Sequence, residues 1–284
     1  MLHQQALKQL ELANSQQGQS RSFRRELAKT YDYLGAAQVR LERWDEARQA
    51  YEQAISLRQP MLDRDPQLST VRRELAGSWN NLGLVQSRVG QPQLAENSFA
   101  QAIETQEPLV AESATDMAQR SSLASMFNNR GYVEEQLKKN SEAVASYRRA
   151  VELQSDAYEH GRNVARYRQL LSKHYFNYGR ALRSERRFAE AVDVALARKK
   201  LWLGTPSRIQ SVAKEIRLAA EALAATDPSA TDQVAEYLRV AADILQEAQA
   251  VRASADSAES DSVEGGPVGA VEAAPVPETP HPNR

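Results

Sequence analysis

The sequence predicts an all-α fold, a solenoid of stacked antiparallel helical hairpins. Two observations predict it. Glycines recur at a constant spacing with similar residues around each of them, and apolar residues within each unit fall three or four positions apart, as on one face of a helix. A single hairpin cannot cover its own apolar face, so neighbouring hairpins must stack. The four glycines that define this repeat period are Gly35, Gly83, Gly131 and Gly179.

Other positions keep the same period. An alanine follows each glycine after twelve residues, and an aromatic residue stands four positions further on in the first three units. An arginine and a leucine recur upstream of each glycine. The recurring sets are Ala47, Ala95, Ala143 and Ala191; Tyr51, Phe99 and Tyr147; Arg24, Arg72, Arg120 and Arg168; and Leu27, Leu75, Leu123 and Leu171.

The predicted elements follow in order along the chain. Residues 1–20 are expected to hold the second helix of a truncated leading repeat, at 3–15. Residues 21–203 hold four complete hairpins and residues 204–253 a capping hairpin, which gives eleven helices. Residues 254–284 contain six acidic residues, one base and five prolines. They predict a disordered acidic tail, because such a segment buries too little apolar area to offset the ordering of its backbone.

The composition excludes several classes of function. The chain has 284 residues, 12 glycines, 6% aromatic residues and no cysteine. The absence of cysteine excludes disulfides, thiolate zinc sites, iron–sulfur clusters and thiol nucleophiles. The four histidines lack the spacing of a metalloprotease motif, and the sequence contains no phosphate-binding loop or nucleophile elbow. We therefore expect no enzymatic activity, no catalytic residue, no cofactor and no bound metal.

The charge and the hydropathy of the sequence indicate the kind of partner and the cellular compartment. The formal net charge of −1 gives no overall attraction to nucleic acid or to an anionic membrane. No 18 consecutive residues are apolar, and the first residues lack the apolar core of a signal peptide. We expect a cytoplasmic monomer whose partner is a protein or peptide, with no nucleic acid and no membrane bound.

The repeated units resemble the tetratricopeptide repeat (TPR) family, whose pattern is an aromatic residue, Leu-Gly, Ala, a second aromatic residue and Ala. The third unit has Arg130 at the leucine position, and the fourth is the most degraded. The family period is about 34 residues, and the additional 14 residues (48 minus 34) amount to about four helical turns. The resemblance implies a right-handed superhelix that acts in protein–protein interaction. The most complete copies are Tyr31, Leu34, Gly35, Ala47, Tyr51 and Ala54, and then Trp79, Leu82, Gly83, Ala95, Phe99 and Ala102.

A narrower resemblance is to the TPR arrays that follow the catalytic domain in many bacterial serine/threonine kinases. The 48-residue period, the RREL openings of the first helices and the closing stretch ALARKKLWLGTPSRIQSVAKEI are similar to those arrays. The sequence contains no glycine-rich loop, HRD or DFG motif. This resemblance implies an alternative function, a regulatory or substrate-recruiting region that belongs to a kinase or derives from one.

Asparagines mark a candidate binding groove. Asn81, Asn129 and Asn177 stand two residues before a repeat glycine, and Asn80 and Asn128 stand beside two of them. The TPR resemblance places this register on the concave face. An asparagine amide offers a donor and an acceptor side by side, which matches one peptide unit of an extended chain. The alternative is that these amides satisfy contacts between helices.

The remaining groove candidates follow from the concave positions of the TPR family. They supply apolar contacts and cations beside the asparagines, and the expected ligand is an extended or helical segment of a partner protein. The residues predicted to contact it are Leu84, Arg88, Tyr132, Phe176 and Arg180. Further positions on the same face are Lys29, Asp32, Ala36, Arg40, Ser87, Glu135, Lys173 and Arg183.

The recurring arginines Arg24, Arg72, Arg120 and Arg168 allow two interpretations. They resemble an anion-binding stripe. They also share a helical face with the aromatic residue and the glycine of each unit, which is the packing face. That position favours a structural role, in which each guanidinium reaches an acidic residue at the rim of the array.

Overall fold

The computed structural model describes residues 20–264, with side chains described as far as Ser254. This part of the chain folds into ten helices and contains no strand, which confirms the all-α prediction. The eleventh predicted helix, at 3–15, lies outside the described residues. The helices are α1 (Arg21–Arg40), α2 (Trp44–Arg64), α3 (Ser69–Arg88), α4 (Pro92–Glu112), α5 (Met117–Gln136), α6 (Asn140–His160), α7 (Ala165–Ser184), α8 (Phe188–Lys200), α9 (Pro206–Thr226) and α10 (Thr231–Glu264).

The helices pair into hairpins that stack in chain order. Each helix packs against the helices before and after it, and α1, α3, α5 and α7 also contact one another in succession. The first helices of the hairpins therefore form one layer, and the second helices form the other. The first helices begin at Arg21, Ser69, Met117 and Ala165, each one repeat period after the last.

The repeat glycine of each of the first three hairpins faces an aromatic ring on the second helix. The pairs are Gly35 with Tyr51, Gly83 with Phe99 and Gly131 with Tyr147, where an added Cβ would lie 2.8, 2.8 and 3.0 Å from the ring. The fourth hairpin has Ala195 at the aromatic position, and the side chain nearest to a Cβ on Gly179 is Val194, at 3.6 Å. The shared spacing of glycine and aromatic residue thus reflects a ring that fills the space left by the missing side chain.

The turns inside the four hairpins use one left-handed residue each. Glu42, Gly90, Lys138 and Arg186 have φ of 56°, 75°, 60° and 58°, and they too recur with the repeat period. A left-handed residue ends a helix and redirects the chain. Three of the four carry a side chain at this position, at a cost of about 1 kcal/mol each.

Buried arginines join helices both within a hairpin and between neighbouring hairpins. Arg58 on α2 is fully buried and its Nη1 atom lies 2.7 Å from an Asp32 carboxylate oxygen on α1. The same Nη1 donates to the Ser78 hydroxyl on α3 at 2.8 Å. Arg198 on α8 pairs with Glu215 on α9, and both are buried. The second pair attaches the fourth hairpin to the capping helices.

The cap is a separate core formed by α8, α9 and α10. Its largest buried apolar side chains are Phe188, Ile209, Ile216, Leu223, Tyr237 and Ile244. The last helix continues to Glu264, past residue 253, where the sequence predicts the end of the capping hairpin. The residues after Arg252 are Ala, Ser, Asp, Glu and Val, and the first helix-breaking sequence is Gly265-Gly266-Pro267. Of the tail expected at 254–284, residues 254–264 belong to this helix, and residues 265–284 lie outside the described residues.

Candidate functional site

A cavity of about 550 Å³ opens along the layer of first helices, where α3, α5 and α7 lie side by side. We call it the central cavity. Its volume is in the range of about 300–1,000 Å³ that ligand sites occupy. The residues that line it are Leu84, Ser87, Arg88, Phe99, Asn128, Asn129, Tyr132, Gln136, Lys173, Asn177 and Arg180.

Seven of the ten predicted groove residues line the central cavity. The three that do not are Asn80, Asn81 and Phe176. Phe176 lines a neighbouring cavity instead. The seven that line the central cavity are Leu84, Arg88, Asn128, Asn129, Tyr132, Asn177 and Arg180.

Two lining residues stand outside the predicted concave positions. Gln136 occupies the register of Arg88 one repeat later and lies four residues after Tyr132, on the same helical face. Its position in the repeat could therefore have identified it as a groove residue. Phe99 comes from the second helix α4. Because Gly83 has no Cβ, the Phe99 ring packs close to α3 and reaches the cavity wall.

The asparagines form hydrogen bonds from one first helix to the next. The Nδ2 atom of Asn129 donates to Oδ1 of Asn80 at 3.0 Å, and Nδ2 of Asn177 donates to Oδ1 of Asn128 at 2.8 Å. Each bond uses one of the two N–H groups of the donor and leaves its carbonyl oxygen outside the pair. The asparagine amides therefore form contacts between helices, and Asn129 and Asn177 also present polar groups on the cavity wall.

Exposed apolar side chains stand beside these amides. Leu84 is 45% exposed and Tyr132 is 47% exposed, and they occupy the same register on α3 and α5. Phe176 on α7 is 37% exposed. Apolar groups that neighbouring elements present together to solvent are typical of an interaction surface.

Arg180 is held in place by a carboxylate and a tyrosine. Its Nη2 atom pairs with Glu135, which also accepts a hydrogen bond from the Tyr147 hydroxyl at 2.7 Å. Burial alone would lower the pKa of Arg180, but the hydrogen bond to Glu135 raises it. Burial, together with the hydrogen bond to Glu135, raises the pKa of Tyr147 well above its ordinary value. Arg180 is therefore a fixed cation whose charge is already compensated.

Arg72, Arg120 and Arg168 contact groups within their own unit. Arg72 lies 2.8 Å from Glu112, at the end of the second helix of its hairpin, and Arg120 pairs with Asp156 in the equivalent way. The guanidinium of Arg168 lies over the ring of Trp202, 4.7 Å from its centroid. The ion pairs of Arg72 and Arg120 correspond to the structural interpretation.

Between residues 20 and 254, where side chains are described, no group of three could hold a metal ion. The same part of the chain has no helix long and apolar enough to cross a bilayer. The cavity wall offers amide groups, cations and apolar side chains, which are the groups that bind peptides.

Family models for the tetratricopeptide repeat match three segments of the sequence: residues 27–66, 76–108 and 124–156. These three segments are similar to tetratricopeptide repeats. The matches fall on the first three hairpins, and the two later ones, which begin at residues 76 and 124, are one repeat period apart.

Several solved structures resemble this fold. BtubC (BKLC) from P. vanneervenii has 14% identity and a TM-score of 0.57, with 98% of this chain and 96% of that chain covered. The apo form of RapI has 13% identity and a TM-score of 0.53, with 89% and 92% covered. A putative kinesin light chain from Podosopora anserina with TPR-like repeats has 17% identity and a TM-score of 0.51, with 80% and 95% covered. At these identities the likeness shows the fold alone. No curated protein matches the sequence.

Proposed function

We propose that this chain is a non-enzymatic interaction scaffold that binds an extended or helical segment of a partner protein in the central cavity. One observation carries the proposal. Leu84 and Tyr132 expose apolar surface on adjacent first helices, within the cavity that Asn129 and Asn177 also line. This combination serves a ligand with a peptide backbone and apolar side chains.

Two kinds of contact contribute to the proposed mode of binding. The apolar side chains bury area against the partner and supply affinity, while the amides pair with its backbone and fix its orientation. Because the TPR frame is common to many proteins, a few groove side chains set the specificity. The proposal includes a monomeric scaffold that needs no cofactor.

A second candidate is a regulatory or substrate-recruiting array of a bacterial serine/threonine kinase. The closing stretch that resembles such arrays forms the end of α8, the following turn and the first half of α9. The same groove would then recruit substrates to the enzyme. A reading frame upstream that encodes kinase motifs would favour this candidate over a stand-alone scaffold.

Capture of partners from a bacterial lysate tests the proposed groove. The informative variant is Leu84→Asp with Tyr132→Asp, because both side chains are exposed and their loss leaves the asparagine pairs intact. A matched control is Leu94→Asp with Leu238→Asp, which changes two leucines that are 50% and 42% exposed and line neither cavity. Circular dichroism first establishes that all three proteins are equally helical.

The expected result is a set of proteins that the wild type and the control capture and the groove variant loses. Equal capture by all three proteins would contradict the proposal and place the interaction on another face. Substitution of the asparagines is less informative, because Asn129 and Asn177 also bond to neighbouring helices.

A further inference from the structure

A second cavity of about 490 Å³ adjoins the central one at the end of the repeats. We call it the cap cavity. It lies between α7 and the beginning of the capping helices, and Lys173 lines both cavities. The other residues on its wall are Gln169, Ser172, Phe176, Arg198, Trp202 and Arg208.

The wall of the cap cavity is built around Trp202. Its indole nitrogen donates to the Ser172 hydroxyl at 2.8 Å, which fixes the ring against α7. The guanidinium groups of Arg168 and Arg208 lie over this ring, 4.7 and 5.0 Å from its centroid. The cation–π contacts hold two positive charges at defined places beside the cavity.

The two cavities carry positive charge that no carboxylate neutralises. Neither wall contains an Asp or a Glu. Arg180 and Arg198 are neutralised by Glu135 and Glu215, respectively. The three remaining cations on the walls form no ion pair with any residue of the described part of the chain: Arg88, Lys173 and Arg208.

These three charges lie along one path. Arg88 stands at the end of α3, Lys173 at the junction of the two cavities and Arg208 in the first turns of α9. A concave surface lined by one sign of charge attracts ligands of the opposite sign more strongly than a flat surface does. The apolar groups Tyr132 and Phe176 lie on the same path.

We infer that the two cavities form one channel for an acidic protein segment. Its carboxylates pair with Arg88, Lys173 and Arg208, and its apolar side chains contact Tyr132 and Phe176. The inference rests on the proposed function and adds to it the charge of the partner and the extension of the site to the cap.

A protein segment fits these observations better than a nucleic acid. The chain as a whole has a net charge of −1, without the basic excess that phosphate backbones attract. Trp202 is only 8% exposed, so its ring is closed to a stacking base. The amides of Asn129 and Asn177 suit a peptide backbone.

Fluorescence anisotropy with three labelled peptides tests the inference on the full chain. In the first peptide Glu alternates with Leu and Phe; in the second Gln replaces every Glu, and in the third Lys replaces it. The test variant is Lys173→Glu with Arg208→Glu, and Lys173→Glu alone serves if the double variant is less helical. The matched control is Lys214→Glu with Arg217→Glu, two exposed cations on α9 that line neither cavity.

We expect the Glu peptide to bind at least about tenfold more tightly than the Gln peptide, and the Lys peptide to bind most weakly. The test variant loses about tenfold or more in affinity for the Glu peptide, the control loses less than about twofold, and added salt weakens binding to the wild type. Equal binding of the Glu and Gln peptides, with both weakened by Tyr132→Asp, would overturn the acidic preference and leave the proposed groove standing.

Three other results would also overturn the inference. One is that the Glu peptide fails to bind at about millimolar concentration. Another is that a single-stranded oligothymidylate binds more tightly than the Glu peptide. The third is that a chain ending at Glu264 binds the Glu peptide about tenfold more tightly than the full chain, which would place the chain's own C-terminal segment in the channel. The capture experiment described above tests the proposed function independently of these three results.

Discussion

The hydroxyl of Tyr147 donates a 2.7 Å hydrogen bond to the carboxylate of Glu135. Tyr147 is also the ring that fills the space beside Gly131, and Glu135 is the partner of Arg180 on the wall of the central cavity. One side chain of the core thus supports both the packing of a hairpin and the position of a groove cation.

Removal of this hydroxyl is expected to weaken the fold. Tyr147→Phe keeps the ring against Gly131 but leaves Glu135 without its buried donor. Hydrogen bonds to charged groups contribute about 1.5–3 kcal/mol, so we expect a loss of that size in the free energy of unfolding, measured by urea denaturation. Tyr33→Phe is the matched control, because the Tyr33 side chain is 65% exposed and should change stability by less than about 0.5 kcal/mol. Equal effects of the two substitutions would contradict the assigned role of the Tyr147 hydroxyl.

The two glycines of α3 are expected to respond oppositely to a methyl group. At Gly83 a Cβ would lie 2.8 Å from the Phe99 ring, whereas at Gly77 it would meet nothing within 4 Å. Gly77→Ala should stabilise the protein by about 0.5–1 kcal/mol through helix propensity. Gly83→Ala gains the same propensity but overpacks the hairpin, so it should be less stable than Gly77→Ala by about 1–3 kcal/mol. Thermal denaturation of the two variants measures the difference, and equal melting temperatures would show that the glycine is not required for packing.

Among the positions of the first hairpins, we expect substitution of the buried Arg58 to lower the stability of the fold most. Arg58→Gln leaves Asp32 and Glu74 without their shared cation and should cost about 3 kcal/mol or more. Burial raises the pKa of Asp32 even with Arg58 beside it, and the loss of Arg58 would raise this pKa further.

The following repeats provide the rescue for that variant. Gln106 and Gln154 occupy the register of Arg58, and Asn80 occupies the register of Asp32. The double variant Arg58→Gln with Asp32→Asn should therefore recover part of the lost stability in urea denaturation. A double variant less stable than Arg58→Gln alone would show that the carboxylate of Asp32 is not the source of the loss.

Acid sensitivity is expected to depend on His174. The side chain is buried, and neither ring nitrogen has a hydrogen-bond partner. Burial, with a smaller contribution from the charge of Lys173, lowers the pKa of His174 to about 3 from an ordinary value of 6.5. Between pH 6.5 and pH 3 the unfolded chain therefore binds a proton that the folded chain does not, and stability falls as the pH falls through this window.

The variant His174→Met removes this titration and takes the residue that Met126 provides in the same register of the preceding repeat. At pH 5 it should be more stable than the wild type by about 2 kcal/mol beyond any difference at pH 8, measured by urea denaturation at both values. His160→Gln is the control, because His160 is exposed. A pH dependence unchanged by His174→Met would contradict the assignment.

Contacts that recur from hairpin to hairpin are the part of the fold that a single sequence predicts. Gly83 and Phe99 recur with one period because they are in contact, and a contact made in the first three hairpins leaves a visible pattern along the chain. The same period located Leu84, Tyr132 and Asn129, which line the central cavity. Once the period is known, the positions of the turns and the register of the helices can be predicted.

Contacts that occur once left no such pattern. Arg58 replaces the glutamine of later repeats, and its partners Asp32 and Glu74 come from two different helices. Trp202 falls in the register of Gln154 but lies in the turn after a shortened helix, so periodicity did not predict the cap cavity. Whether an amide such as Asn177 bonds to its neighbour depends on the distance between two helices, which spacing along the chain does not give.

Photo-cross-linking tests most directly whether a partner lies along the first helices. Tyr132→p-benzoylphenylalanine places the reactive group in the central cavity, and Leu94→p-benzoylphenylalanine places it on the second helix α4, outside both cavities. With a captured partner present, we expect irradiation to join the partner to the chain at position 132 and to leave position 94 unreacted. Cross-linking at position 94 alone would contradict the central claim, because the partner would then lie along the second helices.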